Sequence, residues 1–368
     1  MKLNIDKKDL LPAVETALKA ISGHSTLPIL SSMLLQAEEE TLRLTGSDLE
    51  IGISTTVGAT VLEAGATTIP ARLLQETLKN WPDGTLEWST DERDLTTLQT
   101  GHSVYTLHGL PADEFPFVPT VEGETMTIPQ AELKQLLSLT LPAVSHDTSR
   151  VILTGVLFAL DGHLRSVATD THRLATAPGT VPLTIGERQV IIPGDTLATV
   201  EKLLKDDESE VVVALVENYV EFDLGSTRIV SRVIEGQFPN WRAVLPGAPT
   251  GELTLPTNAL RGALKRAQLV ARENAHKVIF RVASSLTGAT LTLTAESGRV
   301  GKAREELDCE ANGEITFALS AEYTLDALNV IPTPRLRLAW GDGPTQPLVL
   351  TPVGGPEFIY VLMPMQIV

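Results

Sequence analysis

A single cysteine, Cys309, stands in 368 residues. That excludes an intrachain disulfide and any metal site built from several cysteines, and it suits a reducing cytoplasm. Cys309 itself reads as a packed strand residue. Aromatic residues make up 4% of the chain, too few for a platform on which single-stranded nucleic acid would stack. Long apolar runs are missing: stretches such as Val211–Val216 have strand length and fall far short of a membrane span. The opening carries Lys2, Asp6, Lys7, Lys8 and Asp9, unlike a secretory signal, so a cytoplasmic protein with no membrane partner is expected. Positive charge is scarce as well. With 29 Lys and Arg against 46 Asp and Glu, the net charge is −17, which taken alone argues against nucleic acid as a partner.

Catalytic signatures are also lacking. The chain has no GxxxxGK phosphate loop, no GxGxxG after a strand, no GxSxG elbow and no HExxH, and those spacings are what the corresponding chemistries require. Seven histidines are scattered without metal-ligand spacing, so neither metal nor cofactor is expected. The strongest catalytic candidate is Asp170 with His172, which could be imagined as a base and its orienter. No supporting nucleophile accompanies them. Thr169, Asp170, His172 and Arg173 at a strand end more simply satisfy a tight turn or donate to a peptide or phosphate. An enzyme with its site at Asp170/His172 stays open as an alternative at this point. So does a three-domain scaffold that forms no ring.

What the chain does have is repetition. A strand–helix opening recurs as Met1–Ile5 into Leu10–Ile21, Met126–Pro129 into Leu133–Val144, and Leu253–Pro256 into Leu260–Val270. A second recurs as Thr67–Pro70 into Leu73–Trp81, Val190–Pro193 into Leu197–Leu204, and Ile315–Phe317 into Tyr323–Ile331. Each segment closes alike, on Phe115-Pro116, Phe238-Pro239 and Met363-Pro364. The period is about 125 residues, the size of a whole domain. Three similar domains are therefore expected, at 1–121, 122–248 and 249–368, each with two helices. Boundaries fall where Pro and Gly cluster, in Val118–Glu124 and Pro246–Gly251. Apolar spacing near 3.6 marks the helices, as in Leu260, Leu264, Ala267 and Val270. Pro70, Pro129, Pro193 and Pro256 sit at strand-to-helix junctions and are expected at the first helical position. Short alternating segments outnumber helices about four to one, which argues α+β with antiparallel sheets.

Charge is unevenly distributed. Thr257–Arg272 carries Arg261, Lys265, Arg266 and Arg272 with no acidic residue. Arg261, Lys265 and Arg272 share one helical face, a local basic stripe on an acidic body. Helices are about 10 Å wide, so six side by side ring a circle whose hole, roughly 9 Å across, is too narrow for a duplex. Twelve leave roughly 28 Å, wide enough for B-form DNA. If these helices line such a hole, two chains are needed.

Val167-Ala168-Thr169-Asp170-Thr171-His172-Arg173-Leu174-Ala175 closely resembles the most recognisable motif of the bacterial DNA polymerase III beta subunit, the sliding-clamp family. Thr26–Leu30, Leu44–Glu50, Phe238-Pro239-Asn240-Trp241 and Val361-Leu362-Met363-Pro364-Met365 agree with it in order along the whole chain. The resemblance implies a non-catalytic, head-to-tail homodimeric ring that encircles and slides on double-stranded DNA. It implies as partners the polymerase III alpha subunit, the clamp loader, and other polymerases and repair proteins that carry a clamp-binding peptide.

Matching positions imply a peptide groove between the second and third domains, formed by Leu153, Thr169, Thr171, His172, Arg173, Leu174, Pro239, Val244, Ser320, Tyr323, Val361, Met363, Pro364 and Met365. They imply DNA contacts at Arg72 and at His24, which stands where an arginine is common; Arg150 is a local candidate, and the basic face adds Arg261 and Lys265. They imply a ring interface that joins Ser103–Leu110 to Gly298–Leu307, with Leu107 packing near Leu269 and Val270, and with Glu305 and Glu306 as its ion-pairing residues. Two positions of the groove depart from the family pattern: Ala243 is commonly basic there, and Thr171 is often Gly. Outside the groove, His24, His102, Val104, Asp147, Val151 and Ile152 also depart from it.

Overall fold

A strand that runs directly into an amphipathic helix is the unit from which the chain is built. The computed structural model describes residues 1–21, 27–183, 185–245, 247–285 and 288–367. Strand Lys2–Asp6 enters α1 (Lys7–Ala17), and the same step recurs into α2 (Ala71–Asn80), α3 (Gln130–Thr140), α4 (Gly194–Leu203), α5 (Thr257–Ala271) and α6 (Ala321–Val330). Each helix starts a few residues before the apolar stripe that announced it. Pro70 and Pro256 are not the first helical residues. They end their strands as N-caps, with φ −54°, ψ 112° and φ −63°, ψ 125°. The ring fixes φ while ψ stays extended, and a cap needs no intrahelical N–H of its own.

The chain packs as two compact units, Met1–Ala131 with Lys202–Val233, and Glu132–Glu201 with Ile234–Val368. This cut differs from the three repeats because sheets run through repeat boundaries. In the first unit, strand Thr227–Arg232 pairs antiparallel with Ile51–Gly58 inside an eight-stranded sheet, beside a separate five-stranded sheet. Its core gathers Leu10, Val14, Leu35, Leu44, Leu74, Leu78, Trp81 and Trp88. Along α1 the buried positions are Leu10, Ala13, Val14 and Ala17, the i, i+3, i+4, i+7 stripe of a helix lying on a sheet.

The second unit is organised by one twelve-stranded sheet. Strand Arg173–Pro182 pairs antiparallel with Ile359–Leu362, so Leu174 lies opposite Val361 and Arg173 opposite Leu362. α5 buries Leu260, Ala263, Leu264, Ala267 and Ala271, and α6 packs beside it. The Ser320 hydroxyl caps α6 by accepting the Tyr323 N–H at 3.4 Å.

Candidate functional site

The turn Thr169–Arg173 builds itself from short polar side chains. Asp170 Oδ1 accepts the N–H groups of His172 at 2.8 Å and of Arg173 at 3.0 Å. Thr169 Oγ1 accepts the Thr171 N–H at 3.2 Å and donates to the Arg173 carbonyl at 2.7 Å. Closing this loop puts Thr171 at φ +80°, a left-handed conformation that a β-branched residue adopts only at a cost of about 1–3 kcal/mol. That geometry explains why glycine suits this position.

Asp170 is occupied. Its Oδ1 holds two backbone donors and its Oδ2 accepts Arg173 Nε at 2.9 Å. His172 presents its backbone to Asp170, while its ring stacks on Tyr323 at 6.1 Å. The pair thus lacks the carboxylate–imidazole contact that a base and its orienter require, and the turn reading replaces the catalytic one. Among the described residues no cluster of His, Cys, Asp and Glu could hold a metal ion.

Arg173 is the centre of the site. Its side chain is 6% exposed and binds both Asp170 and Asp326 of α6. It also donates to the Tyr360 hydroxyl at 3.3 Å and lies 4.3 Å from the Tyr323 ring centroid. Burial, the largest influence, disfavours the guanidinium charge, but the Tyr360 hydroxyl and the Asp326 and Asp170 carboxylates outweigh it and the net direction is upward. Burial pushes the Tyr360 hydroxyl up as well, against the pull of Arg173. Arg173 therefore remains a cation whose donors are turned inward. The reading in which it reaches toward a peptide gives way to one in which it fastens α6 to the turn.

An apolar floor lies beside this hub. Leu174, Val361, Val167, Phe238 and Trp241 form one cluster, with Ile152 and Leu245 against it. Leu153 is buried next to Ile152 in the segment Thr148–Thr154. Val244 and Met363 keep exposed apolar surface, while Pro239 is exposed beside Phe238. The Met363 N–H donates to the His172 carbonyl at 2.9 Å and the Met365 N–H to the Ala318 carbonyl at 2.8 Å. These bonds carry Pro364 and the chain end from the turn to the strand preceding α6. Thr169, His172, Arg173, Leu174, Tyr323, Val361 and Met363 are thus brought together directly. Asp326 and Tyr360 belong to the same constellation, although sequence reasoning did not name them; Trp241, named only as part of a family motif, joins them. Ala243 is not basic, yet the neighbouring Arg242 guanidinium lies 4.5 Å from the Trp241 ring centroid.

The candidate DNA residues divide into two kinds. Arg72 at the start of α2 and Lys265 on α5 are exposed. Arg150 is exposed too, 3.9 Å from Asp147. Arg261 is different: its Nε donates to the Leu328 carbonyl at 3.1 Å and its Nη1 to Asn258 at 2.7 Å. It caps the last turn of α6, where a cation complements the helix dipole, and this inward use separates it from Lys265. His24 lies outside the described residues, as does Thr26.

Both candidate ring edges are open strands. Ser103–His108 ends the five-stranded sheet and, among the described residues, pairs only with Leu95–Thr100. Gly301–Asn312 pairs with Gly288–Ser297 along Gly301–Cys309, but reaches Gly251–Pro256 only through Glu310–Asn312. Leu269 is 62% exposed, with Val270 half-buried. Leu107, however, is 6% exposed and belongs to its own unit's core. The exposed apolar residues of the same strand are Val104 and Tyr105, at 54% and 53%. Glu305 and Glu306 already have partners within the chain, Arg266 and Arg304. The Arg266 hydrogen bonds hold the Glu305 carboxyl below its ordinary value.

Three family models match the chain in order: the N-terminal domain of the DNA polymerase III beta subunit over residues 1–119, its central domain over 127–240 and its C-terminal domain over 242–366. The beta sliding clamp of Staphylococcus aureus is 30% identical over 100% of this chain and 99% of its own. That of Synechocystis sp. is 31% identical over all of both chains. The crystal structure of the DNA polymerase sliding clamp from Bacillus subtilis superposes with a TM-score of 0.94 at 29% identity, covering both chains completely. The DNA polymerase III subunit beta from Pseudomonas aeruginosa does so with a TM-score of 0.92 at 29% identity, again over both chains.

Proposed function

The chain belongs to the DNA polymerase III beta-subunit family, with its three-domain sliding-clamp fold, and we propose that two copies close head to tail into a ring that encircles duplex DNA. The ring slides, catalyses nothing itself, and tethers the replicative polymerase for processive synthesis in the cytoplasm. The observation that carries this reading is the ordered match of all three family domains along the chain. The physical properties agree with it. Topological enclosure needs no tight phosphate contact, and a body of net charge −17 with a few exposed cations such as Arg72 and Lys265 would let DNA move freely. The six α-helices among the described residues would make twelve in a dimer, the number a duplex-sized hole requires.

Clients dock through the constellation around Arg173. A short peptide rich in Gln, Leu and Phe would lay its apolar side chains over the Leu174/Val361 floor, between Val244 and Met363, with the His172–Tyr323 pair as one wall. The polymerase III alpha subunit, the clamp loader, and other polymerases and repair enzymes would share it in turn. Closure joins the Ser103–His108 edge of one copy to the Gly301–Cys309 edge of the other by main-chain hydrogen bonds. Analytical ultracentrifugation tests the assembly: the wild type sediments as a dimer at micromolar concentration, and Leu269→Asp with Val104→Asp gives folded monomers. A wild-type monomer at that concentration contradicts the ring.

A further inference from the structure

The aspartate-capped turn that carries Arg173 occurs twice among the described residues, and only one copy carries a charge hub. In the first repeat, Asp48 Oδ1 accepts the N–H groups of Glu50 and Ile51, and Ser47 Oγ accepts that of Leu49. The position of Arg173 is filled there by Ile51, which is buried. The turn therefore folds without a cation. Nor is a buried ion cluster an efficient source of stability, since apolar residues in its place are commonly as good or better. The third and sixth residues of α6 are Tyr323 and Asp326, whereas those of α4 are Thr196 and Thr199. Cation, carboxylate and ring thus occur together where the peptide site is and are absent from the corresponding positions of the repeat.

We propose that Asp326, with Tyr360 in support, is a positioning residue for client peptides. This rests on the reading of the Arg173 constellation as the peptide site. Asp326 touches no client. It fixes the Arg173 guanidinium, which Asp170 holds from the other side. The guanidinium lies against the Tyr323 ring at 4.3 Å, and Tyr323 stacks on His172 at 6.1 Å. The wall of the groove is held flat by a cation that never leaves the interior. Without the Asp326 carboxylate, Arg173 keeps Asp170 but loses its ion pair to α6, and Tyr323 gains rotamers that a peptide must freeze again on binding.

Calorimetric titration of the intact dimer with the pentapeptide Gln-Leu-Ala-Leu-Phe tests this. Asp326→Asn is expected to weaken binding by about five- to tenfold while the dimer persists, as ordering one side chain again implies. Asp326→Glu, which keeps a carboxylate in a half-exposed position, is expected to bind within about twofold of wild type. The decisive readout is coupling, because residues acting through one another are not additive. In a Tyr323→Ala background, Asp326→Asn should cost nothing further, whereas a role confined to the fold would cost the same in both backgrounds. Should Asp326→Asn fail to fold, Tyr360→Phe, which removes only the hydroxyl contact to Arg173, carries the same comparison with a smaller loss. Wild-type affinity in Asp326→Asn, or additivity with Tyr323→Ala, overturns the positioning role alone. A wild-type dimer that does not bind the peptide overturns the peptide site and the positioning role together.

Discussion

In the turn Ser47–Ile51, the Asp48 carboxylate accepts the Glu50 and Ile51 N–H groups at 3.0 and 2.9 Å; in the turn Thr169–Arg173, Asp170 accepts those of His172 and Arg173 at 2.8 and 3.0 Å. Leu49 and Thr171 both stand at φ +80°. A third version survives at Ser297, whose hydroxyl accepts the Arg299 and Val300 N–H groups, both at 3.3 Å. The backbone of the turn is thus a property of the repeat, set by one short polar side chain that caps the next few amides. The residues hung on it are not. The first copy places Leu49, Glu50 and Ile51 where the second places Thr171, His172 and Arg173, and only the second recruits Asp326 and Tyr360. Fold and site are written at the same positions in different residues, which is how repeated domains come to do different work.

The comparison breaks most visibly at Arg173. Arg173→Ala strands the buried Asp170 carboxylate oxygen and is expected to cost about 3 kcal/mol of stability and to abolish peptide binding. Ile51→Ala, at the same place in the first repeat, leaves a cavity worth about 2–3 kcal/mol and is expected to leave peptide affinity unchanged. Denaturant unfolding combined with peptide calorimetry separates the two; equal loss of peptide binding in both variants would erase the distinction drawn here. A smaller effect of opposite sign sharpens it. Thr171→Gly relieves the left-handed strain and is expected to add about 0.5–1 kcal/mol, read as a higher unfolding midpoint, with a lesser gain for Leu49→Gly because leucine is not β-branched.

The smallest effect contrasts the buried hub with a surface pair. Arg266 holds the Glu305 carboxyl below its ordinary value, so the unfolded chain binds that proton more readily. The contribution of the pair is present above the unfolded value, near about 4.3, and is lost as pH falls through the lower folded value. Arg266→Met should therefore lower the thermal midpoint only marginally at neutral pH, and the difference should vanish in acid. A difference that persists in acid would assign Arg266 some role other than that pair.

Much of this was legible in the sequence. The six strand-to-helix steps follow from the apolar period, with proline marking four of the junctions. The turn was visible as Thr169-Asp170-Thr171-His172-Arg173 because its capping is local. What was not legible depends on distant chain. Asp326 and Tyr360 reach Arg173 across 153 and 187 residues, and nothing near either marks it as a partner. Arg261 read as part of a basic face because helical spacing cannot reveal that the end of α6 offers it a carbonyl 67 residues away. Leu107 read as an interface residue because matching positions to the family carries no information on which face of the strand the core covers. Burial chose Leu107 and left Val104 and Tyr105 outside.

The central claim is that a closed dimer of this chain holds duplex DNA by enclosing it. The most direct measurement loads labelled protein onto a nicked circular plasmid with a bacterial clamp loader, separates bound from free protein by gel filtration, and repeats the separation after a restriction enzyme linearises the plasmid. The protein is expected to travel with the circle and to be lost from the linear form as it slides off the ends, with little dependence on salt. Equal retention on both forms would mean that ordinary surface binding, not enclosure, holds the protein to DNA, and would contradict the account.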